Sequence, residues 1–284
     1  MQWMQQLNEA ITYIEENLDE EISFQKVARV AGCSTYHFQR MFTYIAGIPL
    51  SEYIRRRRLT KAAFALQAGE KVLDVALHAG YDSPTSFNRA FQVMHGMPPS
   101  LAKKEGTSLK AYGKITFSMT IKGETEMEYR IEKKEAFRVV GFSRTLEKDN
   151  DASFVKIPLF WNEMSQNGKV GHLCSMMDPH LPGLLGICCS GESESDWKYY
   201  IAVAHNQGTP EGMESFMVPA STWAIFPGRG EMPQSIQNLE KQIMSEWLPT
   251  SGFEFGTAPD IEVYLSEDPK DQAFEVWVPL LNKN

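Results

Sequence analysis

The chain has 284 residues, of which 43% are hydrophobic and 23% charged, and a formal net charge of −8. About 150 residues per domain suggests two domains, and the ordinary globular composition excludes wholesale disorder, collagen and coiled coil. No apolar run approaches the roughly 20 residues of a membrane span, no leader pattern opens the chain, and four irregularly spaced cysteines (Cys33, Cys174, Cys188, Cys189) suit reduced thiols in a cytoplasmic protein better than a disulfide framework or a zinc site.

Residues 1–25 carry six acids and no base, and Leu7, Ile11, Ile14 and Leu18 recur at helical spacing, so the chain should open with a buttressing helix. Residues 26–104 then hold 12 Lys and Arg against 4 acids, a balance of +8, whereas residues 107–284 balance to −9. A basic window beside an acidic remainder points to a nucleic-acid module joined to a different one.

That window contains a repeat. Residues 27–32 (VARVAG) recur as 75–80 (VALHAG), 38–42 (FQRMF) as 87–91 (FNRAF), and 47–49 (GIP) as 96–98 (GMP), at offsets of 48 and then 49. Each copy reads short helix, glycine turn, longer helix, Gly-x-Pro stop, which is helix-turn-helix grammar. Ser23, Ser34 and Ser83 are placed as N-caps, with Pro84 at a first helical position. Periodicity turns Phe38, Met41, Phe42 and Ile45 inward in the first long helix and Tyr36, His37, Gln39 and Arg40 away from that stripe. In the second, Phe87, Phe91 and Met94 face in, and Thr85, Ser86, Asn88 and Arg89 lean out. Forked polar side chains at the start of an outward helix are what major-groove readout needs. Between the copies, residues 51–69 read as a connecting helix. Its four consecutive arginines, Arg55 to Arg58, go all round the axis and should reach phosphates or acidic neighbours.

Residues 33–42, 47–49, 79–91 and 96–99 resemble the DNA-binding domain of AraC/XylS-type transcriptional regulators. The resemblance covers about residues 3–105. It implies an all-α bipartite domain whose two recognition helices enter successive major-groove segments of promoter DNA. It also implies RNA polymerase as a further partner, and Tyr36, Gln39, Arg40, Thr85, Ser86 and Arg89 as the DNA-binding residues. Pro84 stands where many members carry a polar residue, which reduces base reading at the start of the second helix.

The domain boundaries expected are 1–106 for the helix-turn-helix pair, 107–126 for a polar linker with one extended piece near 114–121, and 127–284 for an α+β domain. In that last part, residues 127–131, 137–140, 184–190 and 197–204 alternate as strands around a helix at 154–166. The order recurs with strands at 213–219, 222–227, 261–265 and 274–280 around a helix near 233–248. Two ββαββ repeats can form one curved antiparallel sheet with both helices on its outer face and a ligand cleft on the concave side. Superposing the repeats makes Gly186 the counterpart of Glu262, which leaves room for a guest beside a carboxylate. Trp161, Trp223, Tyr199 or Tyr200 (with Tyr200 preferred), Tyr264 and Trp277 are the aromatics expected to wall it, a combination suited to a lipophilic cation or a polarised ring compound.

Residues 127–131, 160–161, 219–226, 246–252, 259–264 and 274–279 resemble the gyrase-inhibitory-protein-like effector-binding domain, over about residues 126–284. The resemblance implies a multidrug-type pocket with a central glutamate, which maps to Glu262. Some relatives are stand-alone hydrolases using the same glutamate, so the rival to a small-molecule-sensing regulator is a hydrolase fused to a DNA-binding module. No nucleophile elbow, phosphate loop or zinc-protease motif stands in a usable context. No cofactor or metal is expected, and neither is enzymatic activity.

Overall fold

Helices make up the regular structure as far as residue 102, and strands with flanking helices make it up from residue 130 on, in a computed structural model. The structure describes all residues except 1, 119–125, 147–149, 191–196, 267, 269 and 282–284, and of residues 2, 36, 150–155 and 190 the backbone only. It has two compact units: Gln2–Phe38 with Ala46–Ser118, and Gln39–Ile45 with the described residues of Met119–Asn284.

In the helical unit, α1 (Gln2–Glu16) buries Leu7, Ala10, Ile11 and Ile14 at helical spacing. Ser23 caps α2 (Phe24–Val30) by accepting the Lys26 amide at 3.3 Å. Ser34 Oγ accepts the His37 amide at 3.2 Å at the start of α3 (Thr35–Ala46), of which residues 35–38 and 46 count with this unit. Next come α4 (Leu50–Gln67), α5 (Val72–His78), α6 (Pro84–His95) and a one-turn α7 (Pro99–Ala102) that the sequence pattern did not announce. Ser83 caps α6 by accepting the Ser86 amide at 3.1 Å, with Pro84 at the first position. The second motif closes on Leu59, Ala62, Ala63 and Leu66 of α4, Val75 and Ala76 of α5, and Phe87, Phe91 and Met94 of α6.

The arginine run of α4 is consumed inside this unit. Arg55 and Arg56 pair with Glu52, Arg57 forks onto both oxygens of Glu15 at 2.8 and 2.7 Å, and Arg58 donates to the carbonyls of Leu18 and Glu20. Gly80, at φ +77°, lets the Arg58 guanidinium lie where a Cβ would stand, 2.7 Å from Nη1. Residues 107–118, expected as part of a linker, dock instead. Asn8 exchanges two hydrogen bonds with the Phe117 backbone, at 2.9 and 3.0 Å. The Tyr112 and Ile115 amides donate to Thr60 and Tyr53. The extended piece near 114–121 carries no strand over its described residues, because side chains satisfy its backbone in place of a partner strand.

The second unit is an eight-stranded, wholly antiparallel sheet. Its strands are β1 (Arg130–Lys134), β2 (Phe137–Leu146), β3 (Leu184–Ser190), β4 (Trp197–Ala204), β5 (Glu214–Val218), β6 (Ser221–Gly230), β7 (Ile261–Tyr264) and β8 (Gln272–Leu280). Helices α8 (Asn150–Gln166) and α9 (Lys169–Met176) interrupt the first repeat. Helix α10 (Gln234–Gln242), a π-helical turn (Ile243–Trp247) and α11 (Leu248–Ser251) interrupt the second. Pro249 follows the π-turn, where its missing amide would break an α-helical ladder. The ββαββ order holds in both repeats, but the first strands are exchanged. The sheet order β1-β6-β8-β7-β3-β4-β2-β5 pairs β1 with the second repeat and β5 with the first. The repeats join at the centre, where β7 pairs with β3.

Candidate functional site

The central pairing places Glu262 directly opposite Gly186. Cross-strand partners share a face, so Glu262, Tyr264, Gly186, Tyr199, Phe274 and Val276 lie on one side of the sheet. A Cβ on Gly186 would come within 2.3 Å of the Tyr199 hydroxyl and 2.7 Å of Glu262 Oε2. The glycine therefore makes room for those two groups, rather than for a guest as the sequence suggested. Trp161 of α8 donates to the Tyr199 hydroxyl at 2.9 Å, Tyr199 donates to Glu262 Oε2 at 2.9 Å, and Tyr264 donates to the same oxygen at 2.9 Å. The Trp161 and Tyr264 rings meet edge to face at 4.8 Å. Burial, then the adjacent Glu262 carboxylate, hold the Tyr264 hydroxyl well above its ordinary pKa, so it stays a donor.

Glu262 Oε1 points the other way, to a guanidinium. Within the same unit, Arg40 Nη2 donates to it at 2.7 Å, Arg40 Nη1 donates to Asp260 Oδ2 at 2.9 Å, and Arg40 also pairs with Glu240 of α10. Tyr44 donates to Glu240, and its ring centroid lies 5.7 Å from the Arg40 guanidinium carbon. Burial, partly offset by Arg40, pushes the Glu240 carboxyl up to about 7. What the arrangement offers chemically is three carboxylates gathered on one planar guanidinium, with the Tyr44 ring beside it.

The expected aromatic wall divides. Tyr264 bonds Glu262 directly, and Trp161 reaches it only through the Tyr199 hydroxyl. Trp223, Tyr200 and Trp277 lie on the opposite face, in the apolar cluster with Leu185, Ile187, Ile225 and Ile261. There the Tyr200 hydroxyl donates to Glu214 at 3.1 Å, and the Trp277 indole donates to Glu275 at 2.7 Å. The expectation that helices and cleft occupy opposite faces is also corrected. Trp161 of α8, and Leu239 of α10 against Gly228 and Phe274, share the face of Glu262. Tyr199, left as an alternative to Tyr200, is the residue on the carboxylate, because β3–β4 pairing puts it on the face of Cys188 and Gly186. Glu240 and Asp260 were missed, although Glu240 shares the buried helical stripe of Ile236 and Ile243.

On α6, Thr85, Ser86, Asn88 and Arg89 are exposed over a buried Phe87, as the periodicity requires of a reading face. On α3 the outward reading does not hold. Gln39 is 2% exposed, His37 is buried, and Arg40 is taken by the three carboxylates. The Tyr36 side chain lies outside the described residues. Periodicity locates an apolar stripe, but it cannot see acids 200 residues away that will claim a cation on the polar face.

Residues 130–280 match the Cass2 family, integron-associated effector binding proteins, and residues 27–105 match a helix-turn-helix domain family. The transcriptional regulator Rob of Salmonella typhimurium is 27% identical over 274 residues, covering 93% of this chain and 92% of Rob. The transcriptional activator AarP of Providencia stuartii is 40% identical over 102 residues, covering 36% of this chain and 76% of AarP. Among solved structures, SAV2435 bound to tetraphenylphosphonium superposes with a TM-score of 0.50 at 23% identity, over 55% of this chain and 95% of that one. That likeness supports the fold of the β-rich part.

Proposed function

The chain belongs to the integron-associated effector-binding family, joined here to an AraC-type helix-turn-helix domain, and from that premise we propose that it senses a cationic, aromatic small molecule at Glu262 and answers at a promoter. It is a DNA-binding transcriptional regulator and not an enzyme, as its matched relatives Rob and AarP are regulators. Sequence-specific readout by Thr85, Ser86 and Arg89 of α6, with Arg40 and Gln39 of α3, belongs to the proposal, as do RNA polymerase as a partner and a cytoplasmic location. Four cysteines present as thiols suit that location, and no helix among the described residues is long and apolar enough to cross a membrane.

One observation carries the reading of the ligand. A delocalised organic cation, the Arg40 guanidinium, already sits on Glu262 beside the Tyr44 ring, and this supports the reading of a site for such cations. The tetraphenylphosphonium complex of SAV2435 supplies a probe of the same class. Full-length wild-type and Glu262→Gln chains should be titrated with tetraphenylphosphonium and with neutral triphenylphosphine oxide, read by tryptophan fluorescence. The substitution should weaken the cation roughly tenfold or more and leave the neutral compound unchanged, since only the cation loses a counter-charge. Equal losses for both, or no saturable binding of the cation by wild type and Arg40→Ala alike, would overturn the reading.

A further inference from the structure

We propose that Arg40 is the resting occupant of the effector recess, and that a cationic effector acts by displacing it and returning it to DNA. The inference rests on the cation-binding reading above and adds how the site is regulated. Arg40 makes three charge-assisted contacts there, with Glu240, Asp260 and Glu262, and none of those carboxylates is more than about a tenth exposed at its side chain. Carboxylates gathered at one point need a cation, whichever one supplies it. A lipophilic cation that reaches Glu262 must therefore compete with the guanidinium.

A second observation shows that the resting arrangement is costly. Gln39, next to Arg40 and another expected base reader on α3, is buried with its Nε2 unpartnered among the described residues. A buried donor without an acceptor costs stability that release to water or to a base edge would recover. Two of the three expected reading side chains of α3, Gln39 and Arg40, are thus withheld in the same state, while those of α6 stay exposed. A ligand can shift such an equilibrium only by preferring one state, and competition for Glu262 supplies that preference. Coupling is reciprocal: effector should tighten DNA binding, and DNA should tighten effector binding.

The test uses the full chain, tetraphenylphosphonium, and a duplex enriched from a random pool by the wild-type protein. Arg40→Ala should bind tetraphenylphosphonium about tenfold or more tightly than wild type, because the competent state no longer has to be freed. Should that variant fail to fold with its carboxylates unpaired, R40A/E240Q compared with E240Q alone should show the same gain. In wild type, saturating tetraphenylphosphonium should tighten the duplex, and in Glu262→Gln it should not. Unchanged tetraphenylphosphonium affinity in Arg40→Ala, with the loss in Glu262→Gln intact, would overturn the displacement and leave the cation site standing. Weakened or unchanged duplex affinity in wild type with the recess occupied would overturn the coupling.

Discussion

Gly186 shows how one missing side chain organises the site. Adding a methyl there drives Cβ into the Tyr199 hydroxyl and Glu262 Oε2. Gly186→Ala should therefore cost about 1–3 kcal/mol, as overpacking of close-packed interiors does, and weaken tetraphenylphosphonium as well. Urea denaturation and a fluorescence titration check both, and a variant with wild-type values in each would show that Tyr199 and Glu262 can move apart freely. At Cys189, burial, chiefly, pushes the thiol up to about 12. The thiolate is the reactive form, so Cys189 should resist alkylation by iodoacetamide in the native protein at pH 8 and react on unfolding. Mass spectrometry of labelled peptides reads this directly.

At the scale of elements, α4 and α6 carry arginines of opposite use. Arg57 grips both oxygens of Glu15 across from α1, whereas Arg89 is exposed on the outward face of α6. Arg57→Ala should lower stability by about 1–3 kcal/mol through a half-emptied, largely buried pair, and leave the salt dependence of DNA binding as it was. Arg89→Ala should leave stability unchanged and cost about 1–3 kcal/mol at one base pair, relaxing preference there. Denaturation curves and binding to the enriched duplex over a range of salt separate the two. A shallower salt slope in Arg57→Ala would make the α4 run a phosphate clamp after all. The element boundaries themselves were largely legible. β3 and β4 fall at the residues that alternation picks out, and the serine caps of α2, α3 and α6 hold the amides expected of them. What alternation could not give was strand exchange, since β1 and β5 read as strands whichever repeat they join.

At the scale of the whole molecule, charge is segregated in the sequence and partly reunited in the fold. Folded Glu240, raised by burial to about 7, keeps its proton through a range in which the unfolded chain, near 4.5, has released it. The folded state therefore binds the extra proton between about pH 4.5 and 7, and stability from this group falls as pH rises through that window. Glu240→Gln should flatten the decline, measured as urea midpoints at pH 5 and pH 8. Identical pH slopes in variant and wild type would place the decline elsewhere. The sequence by itself determined the two-part architecture, the duplicated helix-turn-helix and the ββαββ order. All of these are written in local periodicity, caps and repeats, which depend on neighbours within a few turns of chain. Only the tertiary structure decided that Tyr199 rather than Tyr200 serves that carboxylate, that Trp223 and Trp277 pack on the far face, and that Arg40 lies among Glu240, Asp260 and Glu262. Those outcomes depend on strand register and on pairings between residues up to 222 positions apart. Desolvated charge, unlike apolar periodicity, leaves no mark in the sequence around either partner.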